Sequence, residues 1–200
     1  MKTDKDHDKG NQNEHHPDDR GCTINSRDTP LKYVNLMEYL PMRYPPTLEE
    51  EKNRRIVSNF KMGRCSRELK NEFTDTINQL KEERKDMNLR VCFIPAITAE
   101  RTALRYQNLA AFIEKGTSIP SDYNTILPKP GLITQHMATG RTNPAEDFLF
   151  NKEQIKGTDI ILVGDIFITG TNFTKTCQKL TELGAKSVIG LFLAKSIHRK

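Results

Sequence analysis

No apolar run in the 200-residue sequence approaches the ~20 residues that a membrane-spanning helix needs, so no spanning segment and no membrane partner are expected. The opening stretch MKTDKDHDKG lacks the apolar core of a secretory signal peptide. The four cysteines, Cys22, Cys65, Cys92 and Cys177, stand far apart and form no C-x-x-C pair, which argues against a zinc knuckle or a dithiol redox motif. Cys92 and Cys177 fall inside apolar patterns, as buried small hydrophobes do. No internal repeat is present. A reducing, cytoplasmic location fits these absences.

The length suits one domain with a sizeable core. Net charge is +5. Residues 1–30 carry five Lys/Arg against seven Asp/Glu, which leaves 26 against 19, or +7, for the remainder. A basic folded part suits an anionic ligand such as phosphate, a nucleotide or nucleic acid, and equally suits a merely solubilising surface. Residues 1–30 are rich in Asp, Lys, Asn and His and nearly free of apolar side chains. They cannot offset their ordering entropy by burial. The expected organisation is a disordered tail over 1–30, with His7, His15 and His16 solvated, and a folded domain over 31–200.

Along the folded part, Thr47 and Glu50 form a capping box after Pro45 and Pro46. Leu69, Phe73, Ile77 and Leu80 give a helix over 66–87 its apolar face. LRVCFIPA reads as a strand leading through Pro95 into a helix that Thr98 caps and Gly116 ends. That helix turns Ala103, Tyr106, Ala110 and Ile113 inward. DYNTILP offers another strand. The stretch 129–147 has the glycines, prolines and hydroxyls of a long irregular loop, and loops of that length are more often functional than not. DIILVGD and SVIGLFLAKS are continuous apolar runs, as in strands covered on both faces, and the helix between them carries Phe173, Cys177, Leu180 and Leu183 before Gly184. The pattern predicts an α/β fold: a central parallel sheet flanked by helices.

In such sheets ligands bind beyond the carboxyl ends of strands. Asp165 stands at one such end, followed by Thr169, Gly170 and Thr171 and then a helix beginning near Thr171 or Asn172. Free amides at that helix start would hold a phosphate, Gly170 lets the backbone approach it, and the threonines add hydroxyl donors. Asp165 would repel the phosphate and is better suited to accept from sugar hydroxyls. A phosphate beside a diol is a ribose phosphate. Asp165 could instead cap a turn, and the loop could be a generic nucleotide cradle.

Asp159–Phe173, DIILVGDIFITGTNF, resembles the phosphoribosyl-pyrophosphate (PRPP) motif of type I phosphoribosyltransferases: an apolar strand, two acidic residues and a Thr-Thr-Gly-x-Thr loop. Gly164 and Asp165 occupy the acidic pair, Ile166 and Phe167 follow, and Ile168, Thr169, Gly170, Thr171 and Asn172 occupy the loop. Gly164, Ile168 and Asn172 depart from the motif. CFIPAITAERTALRYQNLA is similar to a segment of the competence protein F family, whose turn holds pyrophosphate. That turn would map onto Pro95, Ala96, Ile97 and Thr98, with Arg101 and Arg105 one helical turn apart. Without the resemblance the two arginines read equally as solvated surface. Thr134, Gln135, Arg141, Asn143 and Phe148 match the same family's hood pattern, and Lys129 and His136 lie in that stretch. The likeness covers roughly residues 35 to 200.

The resemblance implies a type I phosphoribosyltransferase-like fold with a mobile hood and transfer of a phosphoribosyl group from PRPP to an unidentified acceptor. Asp165, Arg101 and Arg105 would be catalytic, residues 95–98 and 164–172 would bind substrate, and Lys129, Gln135, His136 and Arg141 would belong to the lid. Magnesium would arrive with the pyrophosphate of PRPP, because the sequence shows no carboxylate cage. The N-terminus lacks a Met-Cys start and Cys22 sits in the tail, which disfavours a glutaminase-linked enzyme. Phe167 and Phe173 could stack on a nucleobase or could be core. The three departures leave open a non-catalytic module that binds PRPP or a nucleotide. Competence-type members are tied to DNA uptake, so nucleic acid remains a second partner class, and a homodimer is compatible with the reading.

Overall fold

The computed structural model describes residues 21–25, 30–131 and 143–199. The chain begins with β1 (Gly21–Asn25) and β2 (Pro30–Tyr39). Then come α1 (Leu48–Lys61), α2 (Arg67–Glu82), β3 (Leu89–Phe93) and α3 (Ala99–Thr117). Short elements follow: β4 (Ser121–Asp122), β5 (Ile126–Pro128), α4 (Pro144–Asp147), β6 (Phe148–Phe150) and α5 (Lys152–Ile155). The chain closes with β7 (Asp159–Phe167), α6 (Thr171–Glu182) and β8 (Ser187–Ser196).

The main sheet has the order β1-β2-β8-β7-β3-β4. Its strands β2, β8, β7, β3 and β4 pair in parallel, and β1 is added antiparallel to β2. This is the α/β architecture expected from the apolar runs. Alternation along the central strands divides the core between the two faces. Val91, Phe93, Ile161, Val163 and Leu191 pack with α1, α2 and α3. Cys92, Ile160, Leu162 and Phe192 pack with α6 and Ile155 of α5. Both faces are thus covered, which explains why these strands read as unbroken hydrophobic runs.

Several local expectations hold. The Thr47–Glu50 capping box opens α1 and Thr98 caps α3. Leu69, Phe73, Ile77 and Leu80 are all buried, as are Cys92 and Cys177. Others need correction. Residues 21–25, assigned by composition to a disordered tail, form the edge strand β1 on β2; the rest of that tail lies outside the described residues except for Pro30, the first residue of β2. Residues 30–39 carry no element in the sequence reading, yet β2 pairs along β8 from Lys32 to Tyr39. The helix expected over 66–87 stops at Glu82, past its last buried residue Leu80, where the Arg84 side chain donates to the Leu80 carbonyl at 3.2 Å. The single strand expected at 122–128 divides in two. Asp122 Oδ1 accepts from the Asn124 amide at 2.8 Å, an Asx turn that ends β4. The following β5 pairs instead with β6 in a separate antiparallel ladder.

Gly116 does not end α3. The helix continues to Thr117, and Ser118 takes the left-handed cap position at φ 59°. The glycine serves packing: a Cβ there would lie 2.6 Å from Cγ2 of Thr74 on α2.

The chain leaves the carboxyl ends of β3 and β7 in opposite directions. From β3 it passes through α3 to β4 on one side, and from β7 through α6 to β8 on the other. Adjacent strands that part in this way leave a crevice between their following loops. The β3 and β7 ends carry the two loops singled out in the sequence.

Gly116→Ala is expected to cost about 1–3 kcal/mol by overpacking, partly offset by ~1 kcal/mol of helix propensity. In a Thr74→Ser background, which removes the methyl, the same change should stabilise by about 0.5–1 kcal/mol. Urea denaturation of the four chains checks this; an equal cost in both backgrounds would acquit the Thr74 methyl.

Candidate functional site

β7 positions Asp165 by parity. Val163 and Ile161 face α1–α3, and Asp165, two residues further on, projects to the same side. There Arg105 Nη1 of α3 donates to Asp165 Oδ2 at 2.9 Å, and Lys61 Nζ, the last residue of α1, stands 3.7 Å from the same oxygen. The Ile166 amide donates to Oδ1 at 2.7 Å. The Asp165 side chain keeps 26% of its surface exposed and the Arg105 side chain 12%. The carboxylate is therefore held in place yet still borders solvent.

Beyond it lies a cavity of about 210 Å³. Asp165, Ile166 and the loop Ile168–Thr171 form its rim, with Asn172 at the start of α6. Gly170 opens α6 in the left-handed conformation at φ 76°, and no side chain caps the helix. A helix start without a side-chain cap presents amide donors and the positive end of the dipole. The hydroxyls of Thr169 and Thr171 stand 3.1 Å apart at its edge. Ile168 projects outward with 62% of its surface exposed. This arrangement can receive an oxyanion at the helix start while Asp165 accepts hydrogen bonds nearby.

The cavity floor is aromatic. Phe167, Phe173 and Phe192 line it, and Tyr33 stacks on Phe167 with ring centroids 4.1 Å apart. Phe167 and Phe173 are buried within this cluster, with edge contacts to Phe192 at 5.1 and 5.3 Å. Of the two readings left open for these rings, stacking on a base or core, the packing is that of core. The cluster also accounts for Gly164. On the α6 face of β7, a Cβ at that position would lie 2.6 Å from Phe192 Cε1, so an acidic residue has no room.

The β3 turn contributes less than the sequence implied. Pro95 has no amide hydrogen and is buried. Ala96 is buried, and its amide donates to Thr102 Oγ1 at 3.0 Å. Ile97 and Thr98 are half-buried, and Thr98 Oγ1 accepts from the Arg101 amide at 3.1 Å as the α3 cap. Arg101 and Arg105 do share a side of α3, but only Arg105 reaches Asp165. Arg101 is exposed.

Of the lid residues, Lys129 is described and exposed, its amide donating to the Asp147 carbonyl at 2.8 Å. Thr134, Gln135, His136 and Arg141 lie outside the described residues. The two ends of that segment are joined by the β5–β6 ladder, with Pro128 opposite Phe148, and α4 packs against α6.

Lys61 is the charged neighbour that sequence reasoning missed. It lies 104 residues from Asp165 in the chain, and no local spacing signals the approach. Tyr106, expected on the inward side of α3, is fully buried there, with its hydroxyl beside Arg105. Burial pushes that hydroxyl well above the usual phenol range. Burial likewise raises the thiols of Cys65, to about 11, and Cys92, to about 12, so both are protonated near neutrality and poorly suited to nucleophilic work.

Among the described residues no group of three His, Cys, Asp or Glu side chains could hold a metal ion, and no helix is long and apolar enough to cross a membrane. No protein-family model matches the chain, and no curated protein matches it.

A double-mutant cycle of Asp165→Asn and Arg105→Met should give a coupling of about 1–3 kcal/mol in urea denaturation. Additive effects would mean that the pair does not restrain the crevice.

Proposed function

We propose that the crevice between the β3 and β7 ends binds PRPP, or another ribose 5-phosphate compound, and that the protein transfers the phosphoribosyl group to an acceptor with release of pyrophosphate. The observation that carries this reading is the placement of Asp165 and the uncapped start of α6 on one cavity at the point where the chain's crossovers diverge. The 5′-phosphate would sit on the Thr169–Asn172 backbone, and the Asp165 carboxylate would accept from the ribose hydroxyls. The donors to Asp165, the Arg105 guanidinium and the Ile166 amide, leave lone pairs unused: Oδ1 and Oδ2 each take one close hydrogen bond from the protein.

The acceptor's lone pair forms the new bond to the anomeric carbon, and the electron pair of the broken C–O bond leaves on pyrophosphate. The transition state resembles an oxocarbenium ion, so placement and electrostatics dominate. Arg101, exposed at the start of α3, and the half-buried Ile97–Thr98 backbone are the groups suited to the leaving pyrophosphate. Magnesium enters as part of the substrate complex, since Mg²⁺ commonly keeps its waters and binds through substrate phosphates. The segment 129–143 would serve as the hood, an assignment supported by its closed base at β5–β6 and by α4 lying on α6. The fixed glycine at 164 favours keeping a second outcome in view, a module that binds the ligand without turnover, because the second acid of the motif is sterically barred.

Calorimetry with PRPP and magnesium tests the reading. Binding should weaken at least tenfold in Asp165→Ala and in Gly170→Ala, whose new side chain would occupy a left-handed φ at about 1–2 kcal/mol. Pyrophosphate release above blank with a panel of acceptors identifies the enzyme, and ligand-dependent thermal stabilisation without release identifies the binding module. No heat with the native chain overturns both.

A further inference from the structure

A second cavity, of about 480 Å³, has Arg105 in its wall and lies where the α1–α2 turn meets α3. Its wall is built. Gly63 closes α1 at φ 77°, its amide donating to Phe60 O at 2.9 Å, while the Arg64 amide donates back to Asn59 O at 2.8 Å. These paired bonds end the helix and fix where Arg64 departs. Gly63 also lies against α3: a Cβ there would come 2.4 Å from the Leu104 carbonyl oxygen. The turn is thus held on α3, and Ser66 immediately opens α2.

Arg64, Lys70 and Arg105 line this cavity and no carboxylate does. Among the described residues neither Arg64 nor Lys70 has an acidic partner within ion-pair distance; Lys70 Nζ lies only over the Phe112 ring at 5.6 Å. Arg105 lines the same wall while its Nη1 is turned to Asp165. Asn59 and Asn108 add side-chain amides at the rim.

We propose that this cavity is a second anion site, which takes a phosphate-class oxyanion, free or as a phosphomonoester, on Arg105, Arg64 and Lys70. Two of these three cations, Arg64 and Lys70, have no competing carboxylate, which favours such a dianion. The bound anion shares Arg105 with Asp165, so its occupancy weakens the hold of α3 on the crevice carboxylate and couples the two cavities. The site's existence does not rest on the PRPP reading; only the meaning of the coupling does.

NMR of the full chain, detecting arginine Nε–H and backbone amides, tests this with inorganic phosphate against chloride at matched ionic strength. Saturable shifts are expected at Arg64 and Arg105 Nε–H and at the Ser66 and Asn108 amides. Arg64→Gln with Lys70→Gln should weaken them at least tenfold, and Gly170→Ala should leave them unchanged. Both substituted side chains lack a carboxylate partner, so an unchanged melting temperature confirms that the variant is folded. A parallel arm with ribose 5-phosphate separates ester from free ion by which binds more tightly at these resonances. Absence of saturable shifts there, or a double variant that binds like the native chain, overturns the proposal. Shifts confined to Thr171–Phe173 would support the PRPP crevice and sink this site; shifts confined to Arg64 and Arg105 would do the reverse.

Discussion

The Arg105–Asp165 pair fastens the end of the central strand to the helix that follows its neighbour. Asp165 projects from the carboxyl end of β7, and Arg105 reaches it from α3, 60 residues earlier in the chain. With Lys61 on the same oxygen, two cations flank one half-buried carboxylate. Their placement fixes α1 and α3 against the sheet end and sets the local potential of the crevice. The loop at 168–170 and the start of α6 are then presented beside a carboxylate whose direction is already decided. The rim of the crevice inherits its geometry from this junction, which is made on the far face of the sheet.

The sheet was legible in the sequence where strands are covered on both sides. DIILVGD and SVIGLFLAKS announce themselves because their middle residues are buried on both faces, and β7 and β8 are central strands. β2 was not legible. Its sequence PLKYVNLMEY mixes polar and apolar residues, and its pairing with β8 is a contact between opposite ends of the chain. Two capping residues were legible because the Thr47 and Thr98 hydroxyls act within three residues of themselves. Gly116 misled for the converse reason: a glycine near a helix end signals a stop locally, while its use here is decided by Thr74 on another helix.

The same division holds at the crevice. The order strand, acid, glycine loop, helix is local, and Asp165, Gly170 and the start of α6 stand where that order implies. The partners of Asp165 are tertiary. Helical spacing put Arg101 and Arg105 on one side of α3, but only their distance from β7 separates a crevice arginine from an exposed one. Lys61 and the aromatic floor under the loop come from other elements altogether, and Tyr33 comes from the strand the sequence did not reveal.

The ring of Phe192 occupies the volume that a side chain at position 164 would need, and a Cβ at Gly190 on its own strand would also meet it at 2.8 Å, as it would Phe173. Positions 164, 190 and 192 therefore form one steric unit across two neighbouring strands. A lineage could acquire a side chain at 164 only after, or together with, a smaller residue at 192. Divergence at this strand end is channelled through compensated pairs, and single replacements at either glycine should be rare among descendants that keep the phenylalanine.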